Sequence, residues 1–311
     1  MVVNTPPAET SQLMQHDVWL FATAVVSALI SGLVSLFVTK WQTRDKLRVE
    51  YEHEQRREIR QLLGRYHGRL LQACVHLHHR MWNLYDNHER NWLGASAPYT
   101  NPGYYLLSTV HRFLGVCCLC RRLEHEAIYL DARIARKEDL TFLKIAAAIP
   151  LVMTDVSLFD GLSYDHEYAT DHFFADELRR TCDSCYVDDN PISHQALESR
   201  LRSDRSLDSL IEFFCGLTAN EERYRWDRMV ALHLLIVAFI NTFGYREQRA
   251  TGEQISMIVA QFRRPQVAAN LAQWIQKCGL SDTRAIGDLT SVIAGTALMM
   301  KPAVAGSAIV Q

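Results

Sequence analysis

The chain has 311 residues, of which 33 are Lys or Arg, 35 are Asp or Glu and 48% are hydrophobic. Its formal net charge of −2 excludes a global attraction to nucleic acid or anionic lipid, so we expect no nucleic-acid partner. Eight cysteines scattered over this length are too few for a disulfide scaffold and are typical of a protein in a reducing compartment.

The first predicted element is a transmembrane helix over residues 18–39. This stretch contains no ionisable side chain, and its 22 residues reach about 33 Å, enough for a hydrocarbon core of roughly 30 Å. Trp19 and Trp41 flank it, as indoles at a membrane interface do. Basic residues are absent before it and frequent from Lys40 onward. The positive-inside rule therefore predicts an extracytoplasmic tail over residues 1–17 and a cytoplasmic remainder, anchored in the inner membrane.

The predicted transmembrane helix carries small side chains in two adjacent series, each with a four-residue interval: Ala24, Ala28 and Gly32, and Ser27, Ser31 and Ser35. Small residues let helix backbones approach closely in lipid, and Ser can hydrogen-bond across the contact. The pattern predicts a homo-oligomer that pairs through this stripe. The competing interpretation is that the stripe simply faces lipid.

The cytoplasmic part is predicted to be helical throughout. Residues 40–58 are polar and lack Pro and Gly, which predicts a helical stalk, and residues 59–300 predict a bundle of seven to nine helices. Residues 301–311 form a predicted tail. The first helix of the bundle carries an apolar seam with intervals of mostly three and four residues: Ile59, Leu63, Tyr66, Leu70, Cys74, Leu77, Met81 and Leu84. This seam could pair with a second copy or be buried within its own bundle.

Later elements follow the same helical pattern. An apolar helix starts near Tyr104, another is broken or kinked at Pro150, and the sequence VDDNPIS predicts a turn. A long apolar segment is predicted to start after the N-cap Asn220 and to end at Gly244, and we expect it to be the central core helix. No stretch shows sustained two-residue alternation, so the predicted fold class is all-α, with a single N-terminal transmembrane helix followed by a cytoplasmic helical bundle.

Two Cys-x-x-Cys pairs are the candidate metal ligands: Cys117 with Cys120, and Cys182 with Cys185. Four thiolates could form a tetrahedral zinc site, and zinc is the one cofactor that the sequence suggests. The first pair lies within an apolar helix, where Cys behaves as a small core residue. Buried or surface thiols are therefore the competing interpretation.

Arg228 and His233 are the candidate catalytic pair. Their Arg-x4-His spacing resembles the motif of the HEPN ribonucleases, in which an arginine and a histidine on one helix act in RNA cleavage. Chance alone predicts about three such pairs in this composition and four occur, so the count carries no signal. The resemblance implies a membrane-anchored nuclease, and a metal-dependent hydrolase is the related possibility.

The transmembrane stretch and the segments TRDKLRVEYE, LLQACVHLHHRMWNLYD and YYLLSTVHRFLGVCCLCRRLE resemble a poorly characterised set of bacterial, often actinobacterial, proteins with one N-terminal anchor and a helical cytoplasmic domain. The resemblance implies a bacterial inner-membrane protein and no particular active site.

Three function classes follow from the sequence. The favoured one is a self-associating, membrane-tethered scaffold that binds a cytoplasmic protein partner. The second is an oligomeric effector that perturbs the bilayer or forms a pore in it. The third is the anchored hydrolase or nuclease.

Overall fold

The computed structural model describes residues 9–165, 167, 171–281 and 283–299, with side chains from residue 18 to residue 295 within these ranges. The predicted tail over 301–311 lies outside the described residues, as does the predicted extracytoplasmic tail up to residue 8. The chain divides into two compact units, one ending at Arg57 and the other beginning at Glu58. Within the first unit every described residue is helical.

The described ranges contain ten α-helices: α1 (Glu9–Asp86), α2 (Gly103–Ala127), α3 (Lys137–Leu151), α4 (Ala175–Ser184), α5 (His194–Ser203), α6 (Asp208–Phe214), α7 (Arg225–Phe243), α8 (Gly252–Val259), α9 (Pro265–Lys277) and α10 (Arg284–Met299). Short 3-10 turns lie at His88–Arg90, Val156–Phe159, Arg205–Leu207 and Arg246–Gln248. The all-α prediction is confirmed. Helices α2 to α10 are nine in number within the described ranges, at the upper end of the expected seven to nine, and the C-terminal part of α1 adds one more helix to the second unit.

The described strands form one hairpin of β1 (Tyr186–Val187) and β2 (Asn190–Pro191), paired antiparallel. The two residues between them, Asp188 and Asp189, have φ of 50° and 57°. Two consecutive positive φ angles define the tight hairpin turn whose twist matches that of the flanking strands, and Asp is one of the residues that tolerates them. The predicted turn is therefore present, and the two-residue strands β1 and β2 pair on either side of it.

Helix α7 forms the centre of the second unit. Sixteen of its 19 residues, from Arg225 to Ile240, are buried. A helix that is apolar on all sides has no face for water and must be covered by other elements. Helices α3, α8, α9 and α10 pack directly against it, while α2 packs on α3, α4, α5 and α6. The predicted central core helix is thus confirmed.

The start of α7 differs from the sequence prediction. Asn220 was expected to cap the helix, but α7 begins at Arg225. The backbone N–H of Tyr224 donates to the Asp171 carboxylate at 3.0 Å, so the helix start is satisfied by a residue 53 positions away. The end agrees with the prediction, because Gly244 is the C-cap.

The apolar seam of α1 is buried within the second unit. Ile59, Leu70, Cys74, Leu77 and Met81 have no exposed surface. The remaining seam residues are at most 9% exposed. The seam is therefore occupied by this chain's own core and leaves no surface for a second copy there.

Candidate functional site

The apolar part of α1 in the first unit has no cover within the described structure. Val18, Leu29, Leu33 and Phe37 are between 63% and 73% exposed, and the exposed large apolar side chains around the helix range from 42% to 74%. By length and composition α1 and α7 could each cross a membrane, but α7 is 83% buried in the core whereas the apolar window of α1 is 0% buried. Leaving so much apolar surface in water is costly, at about 25 cal/mol per Å².

The predicted pairing stripe lies on this exposed helix. Ala24, Ser27, Ala28, Ser31, Gly32 and Ser35 are all exposed. A Cβ added at Gly32 would meet no atom within 4 Å. Nothing in the described chain therefore packs on the stripe, and its pairing with another helix stays a prediction.

Arg228 is fully buried and acts as a structural clamp. Its guanidinium donates to the carbonyl oxygens of Val152, Asp155 and Asp171, and it lies 4.6 Å from the ring centroid of Phe159. Burial lowers the pKa of Arg228 to about 10, which still leaves its guanidinium charged at neutral pH. The side chain thus fixes α7 to the segment between α3 and α4.

His233 is also fully buried, and it lies in a chain of polar side chains from α1 and α7. Trp82 Nε1 donates to His78 Nε2 at 3.2 Å, His78 Nδ1 lies 2.8 Å from His233 Nε2, and His233 Nδ1 lies 3.0 Å from the Tyr85 hydroxyl. An indole N–H only donates, so His78 Nε2 accepts and its proton sits on Nδ1. The same reasoning puts the proton of His233 on Nδ1.

Both imidazoles of this chain are neutral. An added proton on His78 or His233 would face another N–H, and burial penalises the charge as well. Burial, with the nearby His79 as a smaller cause, lowers the pKa of His78 to about 4. Burial next to His78 lowers the pKa of His233 well below its usual range.

Arg228 and His233 do not share a face. Five residues correspond to about 140° around a helix, and the two side chains contact different neighbours, the carbonyls around residues 152–171 and the residues His78 and Tyr85. Neither has exposed surface. The pair therefore offers an RNA strand neither a common contact face nor access, and the sequence spacing did not reveal the actual partners.

The other charged residues near the start of α7 are paired locally. Arg225 holds Glu221 and the carbonyls of Phe213 and Cys215. Asp227, with no exposed surface, accepts from Arg264 at 2.7 Å. These contacts fix the loops around α7 and leave no open acid–base pair there.

Six of the eight cysteines are buried, and they come from α1, α2, α4 and the C-cap of α4: Cys74, Cys117, Cys118, Cys120, Cys182 and Cys185. The Cys118 thiol donates to the Cys182 carbonyl at 3.5 Å. Cys117 and Cys182 line a common cavity of about 240 Å³ between α2, α3 and α4. The structure therefore brings residues of the two Cys-x-x-Cys pairs together.

Among the described residues, the converging thiols are not grouped as metal ligands. No group of three His, Cys, Asp or Glu side chains in the described part of the chain is placed to hold a metal ion. Burial raises the pKa of Cys117 and Cys120, and the neighbouring thiol Cys182 adds to this. The pKa of Cys118 is raised by its contact with Cys182 and by burial. The cluster has the character of a packed, protonated core.

Comparisons of the chain with protein-family descriptions, with characterised proteins and with solved structures give no match. The resemblances noted in the sequence therefore stay expectations.

We predict that acid destabilises the second unit through His78 and His233. Their folded pKa values lie below the unfolded value of about 6.5, so the unfolded chain binds protons first as the pH falls. Stability is complete above about pH 6.5 and decreases toward pH 4. From His78 alone we expect a loss of about 1–2 kcal/mol between pH 7 and pH 5, measured by urea unfolding.

The variant His233→Gln removes one of these groups and should flatten the dependence of unfolding free energy on pH. His76→Gln is the matched control, because His76 is exposed on α1, the helix that carries His78, and it should leave the slope near that of the parent. Equal slopes in the parent and His233→Gln would contradict the assignment.

We predict that the six buried thiols are unreactive in the folded protein. A protonated, buried thiol is a poor nucleophile, whereas Cys215 and Cys278 are partly exposed. Brief alkylation with iodoacetamide followed by mass spectrometry should label Cys215 or Cys278 at least tenfold faster than the other six. Unfolding in urea should make all eight equivalent, and fast labelling of Cys117 or Cys182 in the folded state would oppose this interpretation.

Proposed function

We propose that this chain is a single-pass, membrane-anchored protein whose helical domain faces the cytoplasm and serves as a self-associating interaction module. The observation that carries the proposal is the apolar surface of α1 between Val18 and Val38, which is exposed on all sides of the helix. In water such a surface would aggregate, whereas in lipid it is the expected exterior of a spanning helix.

The charge pattern supports the orientation. The apolar stretch ends at Lys40, after which Lys46 and Arg48 form exposed ion pairs with Glu50 and Glu52. Pairs of this kind have little energetic value, but they keep the helix hydrated immediately after the apolar stretch. Basic residues on this side and none before residue 18 favour a cytoplasmic second unit.

The second unit supports an interaction role more than a nuclease. Arg228 donates to three main-chain carbonyls, and His233 lies within hydrogen-bond distance of His78 and Tyr85, so both side chains are engaged inside the core. The seam from Ile59 to Leu84 is buried, so association through this seam would require unfolding. The stripe around Gly32 is the pairing surface that fits self-association best, since small side chains permit close helix contact in lipid.

The membrane proposal predicts that the full-length chain sediments with membranes and resists carbonate extraction. The double variant Leu29→Arg/Leu33→Arg should shift most of the protein out of this fraction, because each arginine at a helix centre costs about 2.5–3.5 kcal/mol of insertion free energy. Membrane fractionation with immunoblotting measures the change.

Leu47→Arg is the control, because Leu47 is 59% exposed on the same helix but lies beyond the apolar stretch; it should stay in the membrane fraction. In spheroplasts, protease added from outside should spare everything after Lys40. External cleavage of the large domain would overturn the orientation, and a carbonate-soluble parent would overturn the anchor.

The self-association proposal predicts a homo-oligomer in mild detergent. Gly32→Leu or Ala28→Leu should reduce the crosslinked fraction several-fold, because a larger side chain separates the backbones. Val26→Leu adds volume on the opposite side of the helix and should have little effect. A parent chain that stays monomeric at membrane-like density would rule out pairing through this stripe, and with it the pore-forming alternative.

A further inference from the structure

One open cleft of the second unit is lined by cationic side chains and aromatic rings. It has a volume of about 380 Å³, at the lower end of the usual range for small-ligand sites. Its walls come from α1, from the loop that follows it and from the first turns of α2: His76, His79, Arg80, Trp92, Tyr105 and Arg112. We call it the Arg80 cleft.

Among the described residues, no carboxylate forms an ion pair with the arginines of the Arg80 cleft. Twelve of the 23 arginines of the second unit form ion pairs with carboxylates, as Arg121 does with Asp183. In contrast, neither Arg80 nor Arg112 forms an ion pair among the described residues, and no Asp or Glu lines the cleft. In a chain with more acidic than basic residues, this local excess of charge is an attractive position for an anion.

Arg80 is held in place by neutral groups. Its guanidinium lies 4.0 Å from the ring centroid of Tyr105 and donates to the Ser108 hydroxyl at 2.8 Å. Tyr105 is fixed in turn, because its hydroxyl donates to Asn83 at 2.6 Å. Only 8% of Arg80 is exposed, so an uncompensated charge is held in a largely desolvated position. Anion binding would offset that cost, and the fixed guanidinium fork suits phosphate oxygens.

Arg112 provides the second cation. It is half-buried, and its guanidinium donates to the Ser108 carbonyl at 3.1 Å. Arg80 and Arg112 thus converge on Ser108 from α1 and α2, so that two guanidinium groups lie along one wall. Two such groups match the paired phosphates of a diphosphate better than a single carboxylate.

Aromatic rings complete the Arg80 cleft. Trp92 packs against Tyr105 with ring centroids 4.9 Å apart and is 38% exposed. Tyr104, which also lines the cleft, is 70% exposed. Exposed aromatic faces stack on nucleobases with a gain of about 1–3 kcal/mol per base.

We propose that the Arg80 cleft binds a free nucleotide, with Arg80 and Arg112 holding the phosphates and Tyr104 stacking on the base. The volume fits one nucleotide rather than a nucleic-acid strand. This proposal does not depend on the membrane anchor, because every residue involved belongs to the second unit.

The test is isothermal titration calorimetry on the full-length chain in a neutral detergent. The probes are the four common nucleoside diphosphates, inorganic pyrophosphate, adenosine and a single-stranded oligonucleotide. We expect at least one nucleoside diphosphate to bind tenfold or more tightly than both pyrophosphate and adenosine. Arg112→Gln should weaken it tenfold or more, while Tyr104→Leu should remove the preference over pyrophosphate and keep pyrophosphate binding.

Matched controls are available at exposed positions elsewhere. Tyr129→Leu and Arg179→Gln alter an 82% exposed tyrosine and an ion-paired surface arginine, and both should bind like the parent. Arg80→Gln should abolish binding. Circular dichroism shows whether this variant is still folded. If it is not, Arg112→Gln provides the test.

Three results would overturn the proposal. The first is no heat of binding from any nucleoside diphosphate at millimolar concentration. The second is pyrophosphate binding as tightly as the nucleotides, which would reduce the cleft to a simple anion site. The third is tighter binding of the oligonucleotide, which would assign the cleft to nucleic acid.

Discussion

Burial of α7 is the constraint on which the second unit depends. A helix that is apolar on all sides needs other elements around it, and α3, α8, α9 and α10 supply direct contacts. Its polar residues then require partners inside the core, because an unpaired buried charge or donor costs several kcal/mol. Arg228 finds carbonyls beyond α3, and His233 finds His78 on α1. We infer that these directional contacts define the register of α7, which apolar packing alone leaves less determined.

The two units expose different chemistry. The first presents an apolar helix without cover, from Val18 to Val38, whereas the second buries its long apolar seam and keeps an exposed cationic cleft around Arg80 and Arg112. An apolar surface suits lipid, and a cleft with cationic and aromatic side chains suits the phosphates and base of a nucleotide. Together the two proposals describe an anchored helical domain that binds a nucleotide.

The Cys-x-x-Cys pattern has different structural roles in different surroundings. Cys-x-x-Cys spacing is compatible with zinc, but a metal needs thiolates and a set of ligands around one point. Here the thiols fill space between α1, α2 and α4, and burial raises the pKa of Cys117 and Cys120. Protonated thiols behave as small apolar groups, and the six buried cysteines pack as part of the core.

The sequence by itself determined the helical class, the apolar stretch over residues 18–39, the seam from Ile59 to Leu84 and the central core helix. These follow from periodicity and composition, which are local properties. Only the tertiary structure decided that Asp171 satisfies the start of α7, that His233 pairs with His78, and that Arg80 and Arg112 meet at Ser108. Each of these contacts joins segments far apart in the chain or on separate helices. No local pattern encodes which helices become neighbours, since this depends on how all apolar faces are buried at once.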